Sequence, residues 1–341
     1  MTRALPTVLV LMLGLWTAPA AQNTPASANP RIIPVDFVAF GPDGAPVLDL
    51  RSEEITIRIG SRERAIGGLE LVRLGAPAGG DEVPLPFASS IVARPRNRTI
   101  LIAFDDESVR PGREGTFRPA ITQLLGSLSP SDRVAIVTVP LGGIRLDFTT
   151  DHAKARAVFN TLGGKAPRTE SSTDFACRAK RTLEQMTGLL QSIGGGQGPI
   201  SVVFVSSSMS GPTDDPGSAR NIGTGMCQIL PEKFEELGIA AASARATFHV
   251  IQPEDQMIAP GSVGASDLAG RRITDLGAGL EAMAGVTGAD LLRLSGPSGD
   301  TTERILRYST YYIASIAAEP GDGGVTRLDV RTSRPGVSVI A

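Results

Sequence analysis

The residues with the clearest chemical potential are Asp105-Asp106-Glu107-Ser108, which follow directly on the apolar run from Thr99 to Phe104. Three carboxylates and a hydroxyl at one strand end offer the hard oxygen ligands that hold a divalent cation. The run before them shows no polar alternation, which suits a strand covered on both faces, as in a parallel α/β sheet. Ligands of such sheets bind just beyond the carboxyl ends of the strands. A second reading stays open beside the cation: Asp105 and Asp106 cap a helix start or form a solvated acidic rim.

Two histidines and two cysteines narrow the remaining chemistry. A zinc site of the usual Cys/His type would need His152, His249, Cys177 and Cys227 all to converge. Outside the cytosol, Cys177 and Cys227 are expected to form one disulfide, which closes a loop of about 50 residues and stabilises by roughly 3–4 kcal/mol in the chain-entropy model. Two buried free thiols are the alternative. His249 lies within an apolar strand and reads as a satisfied core histidine.

Ser207-Ser208-Met209-Ser210-Gly211-Pro212 is similar to the serine-nucleophile segment of subtilisin-like proteases, with Ser208 as nucleophile and the order Asp105, His152, Ser208. That chemistry needs His152 to orient on Asp105 and take the proton of Ser208. Against it, His152 sits in Thr-Asp-His-Ala-Lys without flanking glycines. Too few residues separate it from Ser208 to carry a substrate cleft, and Pro212-Thr213-Asp214-Asp215-Pro216-Gly217 breaks rather than starts a helix. No catalytic residue is therefore assigned. Gly194-Gly195-Gly196-Gln197-Gly198 lacks the Lys-Ser/Thr of a phosphate-binding loop and reads as a helix stop.

Residues 1–21 read as a signal peptide: Arg3, an apolar core from Leu5 to Trp16, then Ala18-Pro19-Ala20. The core is too short to span a membrane comfortably, and no later run is long and apolar enough. The mature protein is expected to be exported, periplasmic or extracellular. Formal net charge is −2, from 33 basic and 35 acidic residues without long runs of either sign, so a nucleic-acid footprint is absent. Aromatic residues make up 4% of the chain, too few for a base- or sugar-stacking platform.

The elements that must position the acidic cluster form an ordered series. Residues 22–30 are a polar linker, and 31–75 read as β, with a turn at Pro42-Asp43-Gly44, an alternating strand Glu54–Ile59 and a hairpin turn at Gly60-Ser61. Residues 76–97 form a Gly/Pro/Ala linker. From 98 to 307 strands (Thr99–Phe104, Arg133–Val139, Ile200–Ser206, Thr247–Gln252, Asp290–Leu294) alternate with helices (Thr116–Leu128, Asp151–Leu162, Asp174–Ile193, Pro231–Ala244, Ile273–Ala284, Thr301–Leu306). That order implies a parallel sheet with helices on both faces. Ile144–Thr149 is an extra strand, an antiparallel edge, and Met257–Arg271 an insertion without period. Residues 308–341 return to β, with a strand Ser309–Ile316, a turn Pro320–Gly324 and a return strand Val325–Val330. Tyr311 and Tyr312 alternate faces, so one is expected in the core and the other partly exposed. These closing strands are expected to pair with the N-terminal β segment, which is too short to close a core alone.

The segments "VDFVAFGPDGAPVLDLRSEEITIRIGSRERAI", "RTILIAFDDESV", "LSPSDRVAIVTV", "LEAMAGVTGADLLRLS" and the closing "STYYIASIAAEPGDGGVTRLDVRTSRPGVSVIA" together resemble a von Willebrand factor A (VWFA) related family of exported bacterial proteins, over about residues 31–341. The resemblance implies an A-type, Rossmann-like α/β domain within an all-β module built from N- and C-terminal strands. It implies a binding or scaffolding role toward an unidentified protein partner rather than an enzyme. It also implies a metal-dependent adhesion site, here degenerate: Asp105 is kept, Glu107 and Val109 replace the two serines of the loop, Thr173 matches the distant threonine, and Ser207 falls where the late aspartate belongs. Asp105, Glu107 and Thr173 are the expected metal ligands, with Asp174 able to compensate. Either no cofactor or a weakly bound magnesium or manganese ion follows. A serine hydrolase using Ser208 and a structural envelope protein without a ligand site are the alternative readings.

Overall fold

A computed structural model describes residues 32–75, 97–194, 199–212, 227–253, 273–288, 290–294, 300–319 and 328–341. The expected signal peptide, the expected 22–30 linker, nearly all of the expected 76–97 linker, the expected 257–271 insertion and the expected 320–324 turn lie outside them.

The run Thr99–Asp105 forms strand β5, buried at every position, at the centre of a six-stranded sheet. It is flanked by β6 (Arg133–Val139) and β8 (Ile200–Val205), both parallel to it. Beyond them lie β9 (Ala246–Pro253) and β10 (Asp290–Leu294) on one side, and β7 (Gly143–Thr149) as an antiparallel edge on the other. The expected parallel sheet and antiparallel edge are thus both present. Alternate residues of β5 feed two cores. Leu101 and Ala103 pack with helices α3 (Ser172–Ile193), α4 (Pro231–Ala244) and α5 (Ile273–Thr287). Ile100, Ile102 and Phe104 pack with α1 (Arg118–Gly126), α2 (His152–Thr161) and α6 (Asp300–Leu306). Burial on both faces is why the strand has no polar alternation.

The remaining strands make two antiparallel sheets. One has the order β13 (Ser338–Ile340), β1 (Ile32–Phe40), β11 (Thr310–Ala317), β4 (Ile66–Arg73); the other is β12 (Leu328–Thr332), β2 (Ile55–Ile59), β3 (Arg62–Arg64). N- and C-terminal segments therefore pair, as expected of an all-β module built from both chain ends. The return strand β12 pairs antiparallel with β2 in the second sheet, so it too joins the N-terminal β segment. Ile59 faces Arg62 across Gly60-Ser61, and Gly60 has φ +62°, which only glycine adopts without strain.

Tyr311 and Tyr312 are both buried, which corrects the expectation of one exposed ring. Tyr312 faces the core between the two β sheets, where it stacks on Phe37; its hydroxyl accepts a hydrogen bond from the Leu50 amide (3.0 Å) and donates to the Val47 carbonyl (3.1 Å). Tyr311 faces the opposite core with Val38, Phe40, Val72, Leu74 and Tyr308. The sheet is covered on both sides, so alternation here separates two cores rather than core from water.

Tyr308 also meets His249 of β9 edge-on, ring centroids 4.9 Å apart, where the β module adjoins the α/β sheet. His249 is fully buried, and neither ring nitrogen has a hydrogen-bond partner among the described residues. It is a core histidine but not a satisfied one. Burial pushes its pKa down to about 4; Asp290 pulls upward and Arg307 adds to the depression. An unfolded histidine titrates near 6.5, so the unfolded chain takes up a proton first as pH falls, and this stabilising contribution is full above about 6.5 and lost toward about 4. Urea unfolding at pH 7.5 and 4.5 should show wild type losing roughly 2–3 kcal/mol more than His249→Leu over that interval. Equal losses in the two proteins would contradict a buried neutral imidazole.

Candidate functional site

β5 delivers Asp105 to the carboxyl end of the sheet, where the 106–109 loop lies against residues 163–166. The Lys165 amide donates to the Asp106 carbonyl (2.6 Å), the Ala166 amide to the Val109 carbonyl (2.9 Å), and the Gly164 amide to the Glu114 carboxylate (2.7 Å). The approach needs glycine at 164, since a Cβ there would stand 2.2 Å from the Val109 carbonyl oxygen. Helix α3 closes the site. Ser171 caps its start by accepting from the Asp174 amide (3.0 Å), Phe175 is buried in its first turn, and Ala179, Leu183, Met186 and Leu190 form one stripe toward the sheet. Arg178 sits at the site end of that helix with its side chain 4% exposed.

The Asp105 carboxylate is fully buried. Its Oδ2 accepts the Ser206 hydroxyl hydrogen (2.8 Å) and forms an ion pair with Arg178 Nη1 at 3.6 Å. Its Oδ1 is buried without a hydrogen-bond partner. The Ser108 hydroxyl donates to the Asp105 carbonyl (2.8 Å) and accepts from the Ser207 amide (3.0 Å), tying the first loop to the segment after β8. Arg178 binds Glu170 in a forked pair, Nε to Oε1 at 3.0 Å and Nη2 to Oε2 at 3.1 Å. It also donates to the Ser208 carbonyl (3.2 Å) and hydroxyl (3.3 Å). Burial pushes the Asp105 carboxyl up to about 6, while Arg178, Ser206 and Ser108 pull it back. Burial likewise opposes the charge on Arg178, yet Glu170 and Asp105 outweigh it and raise its pKa.

The neighbouring acids have cations of their own. Asp106 pairs with Lys165 at 2.6 Å and Glu107 with Arg181 at 3.1 Å. Together Glu107, Lys165, Glu170, Asp174, Arg178 and Arg181 line a cavity of about 280 Å³ open at this face.

Of the expected ligands, Asp105 lies at the centre of the site, Glu107 is turned to Arg181, and Thr173 lies in the first turn of α3. Asp174 is engaged with Ser171, whose hydroxyl donates to it at 2.7 Å. The position opposite Asp105 is held by Ser206 through its hydroxyl, whereas Ser207 reaches the loop through its backbone. Among the described residues no cluster of three or more His, Cys, Asp or Glu is spaced to hold a metal ion. Val109 is buried in the core and offers no side-chain oxygen. Sequence reasoning missed Arg178 and Glu170, and placed Ser206 only within the polar Ser206–Ser210 run at the strand end that borders this face. The signal that could have found Arg178 is an arginine three residues after Phe175 and one before Ala179, on the flank of the apolar stripe.

The Asp105-His152-Ser208 triad is not assembled. His152 Nε2 lies 2.8 Å from the Asp132 carbonyl, just before Arg133, which pairs with Thr99 at the amino end of β5. Asp105 pairs with Val139, six residues farther along, which is about 20 Å at the rise of a strand.

Cys177 and Cys227 are joined in a disulfide, with Cα atoms 4.7 Å apart. The bond fastens the segment leading into α4 to α3, one residue before Arg178. Replacing both cysteines by serine should lower unfolding free energy by roughly 3–4 kcal/mol, the loop-closure value for a ring of this size. Non-reduced peptide mass spectrometry should recover the linked pair. Two free thiols in protein from an oxidising compartment would contradict it.

No family model matches the sequence, and no curated protein matches it. Among solved structures, the fold is similar to proximal thread matrix protein 1 from the mussel byssus. One crystal form shares 10% identity over 63% of this chain and 46% of that one, with a TM-score of 0.36. Another structure of that protein, with a zinc-occupied MIDAS motif, shares 9% identity over 65% of this chain and 48% of that one, at 0.40. The VWA domain of SpRpn10 shares 12% identity over 61% of this chain and 93% of that domain, at 0.29. This chain spans about half the length of the mussel protein.

Proposed function

We propose that this chain is an exported binding or scaffolding protein that recognises a protein partner at the carboxyl-end face of its six-stranded sheet, without catalysing a reaction. The observation that carries the reading is the internal pairing of the face. The ionisable groups around the cavity are held by one another, Asp105 and Glu170 by Arg178, Asp106 by Lys165, Glu107 by Arg181. The Ser208 hydroxyl is engaged by Arg178 and has no histidine base beside it. Such a surface is of mixed charge, with its charges already paired within the chain. Lys165 and Arg181 leave 59% and 45% of their side chains exposed at its rim, where complementary charges steer and orient a partner. The disulfide supports export, since such bonds persist in oxidising compartments. Among the described residues no helix is long and apolar enough to cross a membrane.

The test combines three measurements on the full chain. The mature protein should begin near Ala21 or Gln22. In pull-downs from the surrounding compartment, the double variant Lys165→Glu/Arg181→Glu should lose the partner that wild type captures. Lys154→Glu, on α2 near the opposite end of the sheet, should keep it. A fluorophosphonate probe should leave Ser208 unlabelled. Labelling of Ser208, or equal capture by the strand-end variant, would overturn the proposal.

A further inference from the structure

The resemblance implies a cation held by the loop after β5, and the residues present do not fit one. A divalent ion needs several oxygen ligands with free lone pairs and little positive charge nearby. Here Val109 has no side-chain oxygen and its carbonyl accepts the Ala166 amide, and Glu107 and Asp106 are each committed to a basic side chain. Of these three acids, only Asp105 has a buried oxygen without a hydrogen-bond partner among the described residues, Oδ1, and the guanidinium of Arg178 lies 3.6 Å from its other oxygen. An ion bound to Asp105 would face that fixed positive charge at close range inside a buried site, where Coulomb repulsion is weakly screened.

We infer that Arg178 is a built-in cation: its guanidinium, held between Asp105 and the forked contact to Glu170, supplies the positive charge that a metal would bring, so the strand-end site is complete without one. The geometry suits this role. Nε and Nη2 point to Glu170, Nη2 also to the Ser208 hydroxyl, and Nη1 to the Ser208 carbonyl and Asp105. One side chain therefore joins α3, the end of β5, the residue-170 turn and the segment after β8, the connections a coordinated ion would otherwise make. A planar, permanently charged guanidinium can do this where lysine cannot, because its donors fan out in fixed directions. The Cys177–Cys227 disulfide ties the helix at the residue next to Arg178.

This inference concerns the metal and the fold, so its test is independent of any partner. Thermal melts of the full chain in EDTA and in millimolar magnesium, manganese or zinc should agree within about a degree, since a ligand that does not bind the native state leaves its stability unchanged. Arg178→Gln should melt several degrees lower and regain part of that loss in manganese, because Asp105 and Glu170 are then uncompensated; adding Asp105→Asn should remove the regain. Direct manganese titration of wild type, followed by electron paramagnetic resonance, keeps the test informative even if Arg178→Gln fails to fold, and it should show no stoichiometric binding. Stoichiometric manganese binding to wild type that Asp105→Asn abolishes would overturn the inference, as would a metal-dependent rise in wild-type melting lost in the same variant.

Discussion

A carboxylate at the end of the central strand, sealed from water, sets the constraint on the rest of the site. Burying an ionised group without compensation costs several kcal/mol, so either its proton returns or a counter-charge must be built in. In Asp105 both responses are visible: burial has pushed its pKa up to about 6, and Arg178 stands against it. Supplying that arginine requires a helix crossing this end of the sheet. Holding it requires Glu170, and positioning the helix requires the stripe from Ala179 to Leu190 and the disulfide at Cys177. The loops follow, with 106–109 pinned to 163–166, and Ser108 and Ser206 linking the first loop to the segment after β8.

The β module acts on the same scaffold from the other side. Arg245, which ends α4 in the left-handed region at φ 52°, forms an ion pair with Asp36 of β1 at 2.6 Å. Arg98, where the chain runs into β5, donates to the Ser309 hydroxyl and pairs with the buried Asp132. Tyr308 covers His249. These contacts run from the β module to the central sheet, at and near the amino ends of β5 and β9.

Much of this was legible in the sequence where burial imposes a period. Arg133–Val139, Pro231–Ala244 and Asp290–Leu294 are found at the bounds their apolar patterns and turn residues indicate, and the antiparallel edge Gly143–Thr149 is where a short extra strand was expected. The site was half legible. Asp105 stands out because a carboxylate interrupts an apolar run at a strand end. Arg178 does not, because an arginine on a helix ordinarily reads as solvated, and only the tertiary fold brings it to a carboxylate 73 positions earlier. Ser206 adjoins Ser207, the residue read at the late-aspartate position, and only the fold shows that the Ser206 hydroxyl reaches Asp105 while Ser207 meets the loop through its amide. The two tyrosines were misjudged because period alone cannot say whether the second face of a sheet meets water or another core.

The central claim is that Asp105 and Arg178 stabilise each other as a pair. A double-mutant cycle measures that coupling directly, using urea unfolding at pH 7.5 of wild type, Asp105→Asn, Arg178→Met and the double variant. Removing one member of a buried pair leaves the other uncompensated, so Arg178→Met alone should cost about 3–5 kcal/mol and the double variant clearly less than the sum of the singles. A coupling of about 1–3 kcal/mol is the expected result. Losses that add within about 0.5 kcal/mol would mean that the two groups do not depend on each other, and would contradict the account.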